Sequence, residues 1–184
     1  MKIIADCEAK KIRETYIKNF VDTKHELYSE RIQKMLPYSD GMYHESGYLW
    51  EFFKLPVVIT EKQCLEFLKK HSIIYVMWDL NQFVRTWTTD ETQFLKAEKW
   101  VYPKESILQF SVEELLTDRQ ALPWDDYIFF DKKSARKGIH DKHIISKLPW
   151  DLYLFDESFR WTIAFTHETN SDGTKYFLLN EVKN

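Results

Sequence analysis

A chain of 184 residues, 44% of them hydrophobic, is long enough to build one domain with a sizeable core. Its 26 basic and 29 acidic residues give a net charge of -3 and are interspersed, so no basic arm or stripe offers itself to a nucleic-acid backbone. No apolar run approaches the ~20 residues of a bilayer-spanning helix, and Met1-Lys-Ile-Ile-Ala-Asp lacks the apolar stretch of a signal peptide.

Cys7 and Cys64 form neither a CxxC pair nor a disulfide framework. The expectation is therefore a single cytosolic domain over residues 1–184, with no membrane or nucleic-acid partner and no cofactor. Aromatic residues reach 16%. Rings bury much area per residue, and exposed ones are favoured anchors of protein interfaces.

The first third reads as helix. Ile12, Tyr16 and Phe20 recur at spacing four with Ile17 and Val21 beside them, and Tyr28, Ile32, Met35 and Leu36 repeat the stripe until Pro37. The Ser-Asp-Gly and Glu-Ser-Gly runs before Gly47 carry turn chemistry. Gly47-Tyr-Leu-Trp-Glu-Phe-Phe reads as a strand, followed by a short piece at Val57–Ile59.

Thr60 opens a helix through a capping box with Gln63, and Cys64, Phe67, Leu68 and His71 form its inner stripe. Ile73–Met77, a continuous β-branched run, reads as a buried central strand. Phe83 to Trp87 alternates like a strand, and Asp90 to Trp100 reads as a short helix. Ser111 caps a helix with Glu114 at its third position, turning Val112, Leu115 and Leu116 inward.

In the last third, Tyr127–Phe130, Leu152–Phe155, Trp161–Phe165 and Tyr176–Leu179 read as strands. A helical stretch from Ser134 to Lys147 separates the first from the rest. Asp156-Glu-Ser-Phe-Arg makes a tight connection, and Asn170-Ser-Asp-Gly makes a hairpin loop in which Gly173 takes positive φ. The predicted fold is α+β: N-terminal helices packed on a largely antiparallel sheet that ends in a C-terminal β-meander.

Leu122-Pro-Trp-Asp-Asp-Tyr-Ile-Phe-Phe-Asp is echoed 26 residues later by Leu148-Pro-Trp-Asp-Leu-Tyr-Leu-Phe-Asp. Recurrent helix-to-strand chemistry accounts for such an echo. It also sets Asp125, Asp126 and Asp151 at equivalent strand-entry positions on one edge of the sheet, with Asp131, Asp156 and Glu157 at the opposite edge.

Residues that would carry chemistry are few. Gly41, Gly47, Gly138 and Gly173 have neither the dinucleotide-fingerprint nor the P-loop spacing. Ser46 in His44-Glu-Ser-Gly47 lacks the glycine two places earlier that a nucleophile elbow needs. Cys64 sits on an apolar helical stripe, where a thiol is a core residue before it is a nucleophile.

His140 and His143 stand at i and i+3 on the predicted helix and, with His167 or Glu168 as a third ligand, are the candidate metal set. Two exposed histidines in a charged helix explain the same pattern. Of the paired carboxylates, Glu113 and Glu114 suit the first turn of a helix, where the macrodipole favours negative charge. Asp125 and Asp126 beside Trp124 suit an interface to Lys or Arg as well as they suit catalysis.

The run from Leu152 to Glu168, with Gly47-Tyr-Leu-Trp before it, resembles the closing hairpin of a family of small bacterial proteins. In overall character the chain resembles immunity proteins of contact-dependent growth inhibition and related polymorphic toxin systems. That resemblance is one of type and transfers no residues. It implies tight binding to a cognate toxin domain, with an acidic patch steering encounter with a basic nuclease and aromatic anchors slowing dissociation.

The candidate partner-binding residues are Trp124, Asp125, Asp126, Asp131, Trp150, Asp156 and Glu157, with no catalytic residue and no metal. Two other expectations stand beside this one. One is a metal-dependent hydrolase or nuclease on His140, His143 and His167. The other is a regulatory module that recognises a peptide through an exposed sheet edge.

Overall fold

A computed structural model of the protein describes residues 1–33, 36–37, 43–44, 47–79, 85–88, 96–100, 106–117, 151–171, 173 and 175–182. Seven strands form one antiparallel sheet: β1 (Lys2–Ile4), β4 (Pro56–Ile59), β5 (Ile73–Met77), β8 (Ile107–Ser111), β9 (Leu152–Phe155), β10 (Trp161–Thr169) and β11 (Lys175–Glu181). Their order across the sheet is β1-β8-β5-β9-β10-β11-β4. Two short hairpins stand outside it: β2 (Leu36–Pro37) with β3 (Tyr43–His44), and β6 (Arg85–Thr88) with β7 (Lys96–Trp100). The fold is α+β, and β9, β10 and β11 are the predicted meander.

Side chains alternate across each strand, so a strand covered on both faces must be apolar throughout. That is why Ile73–Met77 reads as an unbroken apolar run. Ile74 and Val76 join Leu108, Leu152, Leu154, Ile163 and Phe165 on one face. Tyr75 and Met77 join Ile107, Tyr153, Phe155 and Ala164 on the other.

The first face is closed by Cys64 and Leu68 of helix α2 (Glu61–Leu68) and Leu115 of helix α3 (Val112–Thr117). The second is closed by Ala9, Tyr16 and Phe20 of helix α1 (Asp6–Phe20) and by Leu49 and Phe52 of a single 3-10 turn, Leu49–Phe52. Among the described residues no helix is long and apolar enough to cross a membrane.

The spacing-four stripe of α1 puts Tyr16 and Phe20 wholly out of solvent. The Tyr16 ring lies 4.8 Å from that of Phe155 and 5.6 Å from that of Tyr153. Its hydroxyl and Thr162 Oγ1, 3.0 Å apart, satisfy each other in the core.

In α2 the capping box is complete. Gln63 N donates to Thr60 Oγ1 at 3.3 Å, and Thr60 N donates to Gln63 Oε1 at 2.9 Å. Thr60→Ala is expected to cost about 1 kcal/mol, read as a lower urea midpoint at unchanged slope. Burial pushes the Cys64 thiol far above its ordinary range, which suits a core residue.

Several expectations are corrected. The Gly47–Phe53 run is not a strand; it holds the 3-10 turn, because distant groups take up its backbone N–H groups. The second helical stripe shrinks to a π-type turn at Ser29–Gln33, with Leu36 and Pro37 already paired as strand β2. The helix expected over 90–100 gives way to β7, whose Lys96–Trp100 backbone pairs with β6. Helices do not simply precede the sheet: β1 comes first, and helices cover both faces.

The expected strand at 127–130 and helix at 134–147 lie outside the described residues.

Candidate functional site

Strand β9 runs through the interior of the sheet and carries an aspartate at each end. Asp156, at its C-terminal end, organises the connection to β10. Its Oδ1 accepts from Ser158 N at 3.0 Å and from the Ser158 hydroxyl, and its Oδ2 accepts from Trp161 Nε1 at 2.8 Å. Phe159 N donates back to the Asp156 carbonyl while Phe159 itself holds φ +51. A bulky residue in that region carries about 1 kcal/mol or more of strain, here opposed by packing on Phe155 at 5.5 Å.

Beside this turn His71 lies between the rings of Phe67 (5.0 Å) and Trp161 (4.4 Å). Its Nδ1 donates to the Phe67 carbonyl at 3.1 Å, which leaves Nε2 facing Asp156 Oδ2 at 4.0 Å.

A cavity of about 240 Å³ opens here, lined by His71, Ser72, Ile73, Tyr75, Gln109, Asp156 and Glu157. Burial raises the pKa of the Tyr75 hydroxyl, and the negative fields of Glu157, Glu8 and Asp156 raise it further. The pocket thus joins ring faces, an apolar wall at Ile73 and a negative potential, a combination suited to a cationic side chain with a hydrocarbon stem.

At the other end of β9, Asp151 is 1% exposed. Its Oδ1 accepts from Trp50 Nε1 at 3.1 Å, from His167 N at 3.1 Å and from His167 Nδ1 at 3.0 Å. The carboxylate therefore orients the imidazole with an Nδ1–H toward itself and sets Nε2 3.6 Å from Glu168 Oε1. Tyr48 and Trp50 stack at 5.7 Å and 13°, with His167 tilted against both.

A second buried aspartate, Asp79, anchors the same turn from below. Leu49 N donates to its Oδ1 at 3.2 Å, and the Tyr153 hydroxyl donates to its Oδ2 at 2.6 Å while accepting from Trp50 N at 3.3 Å. Burial pushes the Asp79 carboxyl up to about 7 against these hydrogen bonds; Asp151 raises it further and Arg13 lowers it. Glu51 is also raised by burial, and Arg31, whose Nη2 donates to Oε1 at 3.1 Å, opposes the rise. Gly47 makes this closure feasible, since a Cβ there would meet Arg31 Cβ at 3.0 Å.

Of the predicted partner-binding residues, Asp156 and Glu157 share the acidic pocket, where Asp156 is held by its own turn and Glu157 is exposed. Trp124, Asp125, Asp126, Asp131 and Trp150 lie outside the described residues, as do His140 and His143. His167 pairs with Asp151, and among the described residues no three His, Cys, Asp or Glu side chains converge to hold a metal.

Asp79, Tyr48 and Trp50 did not enter the predicted set. A signal existed: Trp78-Asp79 is a third Trp-Asp pair beside Trp124-Asp125 and Trp150-Asp151. Comparison with family models, curated proteins and solved structures finds no match to this chain.

Proposed function

We propose that this chain is a toxin-neutralising immunity protein of the polymorphic-toxin kind, acting in the cytosol by binding a cognate toxin domain with a basic surface, most simply a nuclease. The supporting observation is the ring-lined acidic pocket at the C-terminal end of β9, where Tyr75 is set among Glu8, Asp156 and Glu157. Carboxylates steer encounter with a basic partner, and a basic side chain entering the pocket leaves water with its charge and stem both matched.

The test is co-expression with the product of the adjacent upstream gene. A 1:1 complex is expected, and Glu157→Lys is expected to weaken it roughly tenfold or more. An adjacent product that does not associate contradicts the proposal.

A hydrolase built on His140, His143 and His167 has one feature in its favour, the orienting of His167 by Asp151. A stoichiometric transition metal bound to the purified chain, lost in His167→Ala, would support that reading instead.

A further inference from the structure

The pair His167 and Glu168 presents two acceptor groups beside a stacked ring pair, at the opposite end of β9 from the acidic pocket. His167 Nδ1 faces the Asp151 carboxylate, so in the neutral imidazole Nε2 is the acceptor, and Glu168 Oε1 lies 3.6 Å from it. The His167 ring is one-third exposed and Glu168 about half. Tyr48 and Trp50, both half-buried, flank the imidazole at 5.0 and 6.2 Å. The Trp50 ring is held in place, because its indole N–H is tied to Asp151 and its backbone N–H to Tyr153.

We infer that His167, Glu168 and the Tyr48–Trp50 stack form a binding site for one arginine side chain of a protein partner. It rests on the protein-binding reading above and extends it to a second contact.

A guanidinium is planar, stacks on aromatic faces and spreads several N–H donors in one plane. It therefore donates to Nε2 and to the Glu168 carboxylate while lying against a ring. An ammonium offers a compact, strongly hydrated charge that cannot stack, and it uses less of the site. The carboxylates of Glu168 and Asp151 beside the rings disfavour an anionic ligand. Because Asp151 holds the Trp50 and His167 rings before binding, little of their side-chain entropy is lost on contact.

The test uses the whole chain and N-acetyl-arginine amide as the probe, followed by NMR at the Trp50 indole N–H and the His167 ring. Saturable shifts at both are expected, with N-acetyl-lysine amide binding roughly fivefold or more weakly. Glu168→Gln, on an exposed side chain whose replacement leaves the fold intact, and Tyr48→Ala should each weaken the arginine probe roughly fivefold.

Equal binding of the two probes, or an arginine titration untouched by Glu168→Gln, overturns the site. Because the probe is a small molecule, this outcome is independent of the complex with the neighbouring gene product. Failure of that complex alone strikes the immunity reading, and failure of the probe alone strikes the arginine site.

Discussion

Replacing Asp151 with alanine is expected to destabilise the chain by about 3–5 kcal/mol, the loss typical of a buried charge network deprived of its centre. Three donors converge on this one carboxylate: the Trp50 indole, the His167 backbone N–H and His167 Nδ1. Alanine leaves them with no acceptor at a position 1% exposed, where water does not easily substitute.

For a chain of this size each kcal/mol moves Tm by about 2–4 °C, so a fall of roughly 6–20 °C is predicted by thermal denaturation. Asp151→Asn keeps one acceptor oxygen and should fall between wild type and alanine. A change under about 1 kcal/mol for the alanine variant would mean that the carboxylate does not organise the turn.

Asp79 should behave in the opposite sense. Its carboxyl titrates near 3.8 when free and near 7 in the fold, so the native state holds the proton more tightly than the unfolded chain. The sign follows. Stability is greatest where the group is neutral in both states, falls as pH rises through the interval between the two values, and levels off above about 7.

Asp79→Asn is permanently neutral and escapes this loss, while its amide still offers one acceptor and two donors to Leu49 N and the Tyr153 hydroxyl. Relative to wild type, the variant is expected to gain about 2–3 kcal/mol between pH 5 and pH 8, since the wild-type loss of about 1.36 kcal/mol per pH step runs on from pH 5 to about 7. Urea unfolding at pH 5, 6, 7 and 8 measures it. A difference between variant and wild type that does not change with pH would show that Asp79 is ionised at little cost.

Elements whose cause is local were legible in the sequence. The Ile12–Tyr16–Phe20 stripe, the Thr60–Gln63 capping box, the β-branched β5 and the three strands of the meander each carry their signal within about ten residues. The loop before β11 also followed from local chemistry, with Gly173 at φ +82.

What failed is what distant groups decide. Gly47–Phe53 has the apolar spacing of a strand, yet Asp79, 30 residues away, and Tyr153, 103 residues from Trp50, supply the partners that let it curl into a 3-10 turn. Likewise the polar Lys96–Trp100 run becomes strand only by pairing with β6. The site divides along the same line. Asp156 and Glu157 were visible as acids in a tight connection, whereas the ring platform of Tyr48, Trp50 and His167 exists only once β9 and the turn are brought together.

A growth-protection assay tests the binding reading most directly. Cells expressing the product of the adjacent upstream gene are compared with and without this chain, and with its Glu157→Lys variant. Growth is predicted to be arrested by the neighbour alone, restored by the wild-type chain, and restored less well by the variant. Growth arrest that persists undiminished in the presence of the wild-type chain would contradict the account.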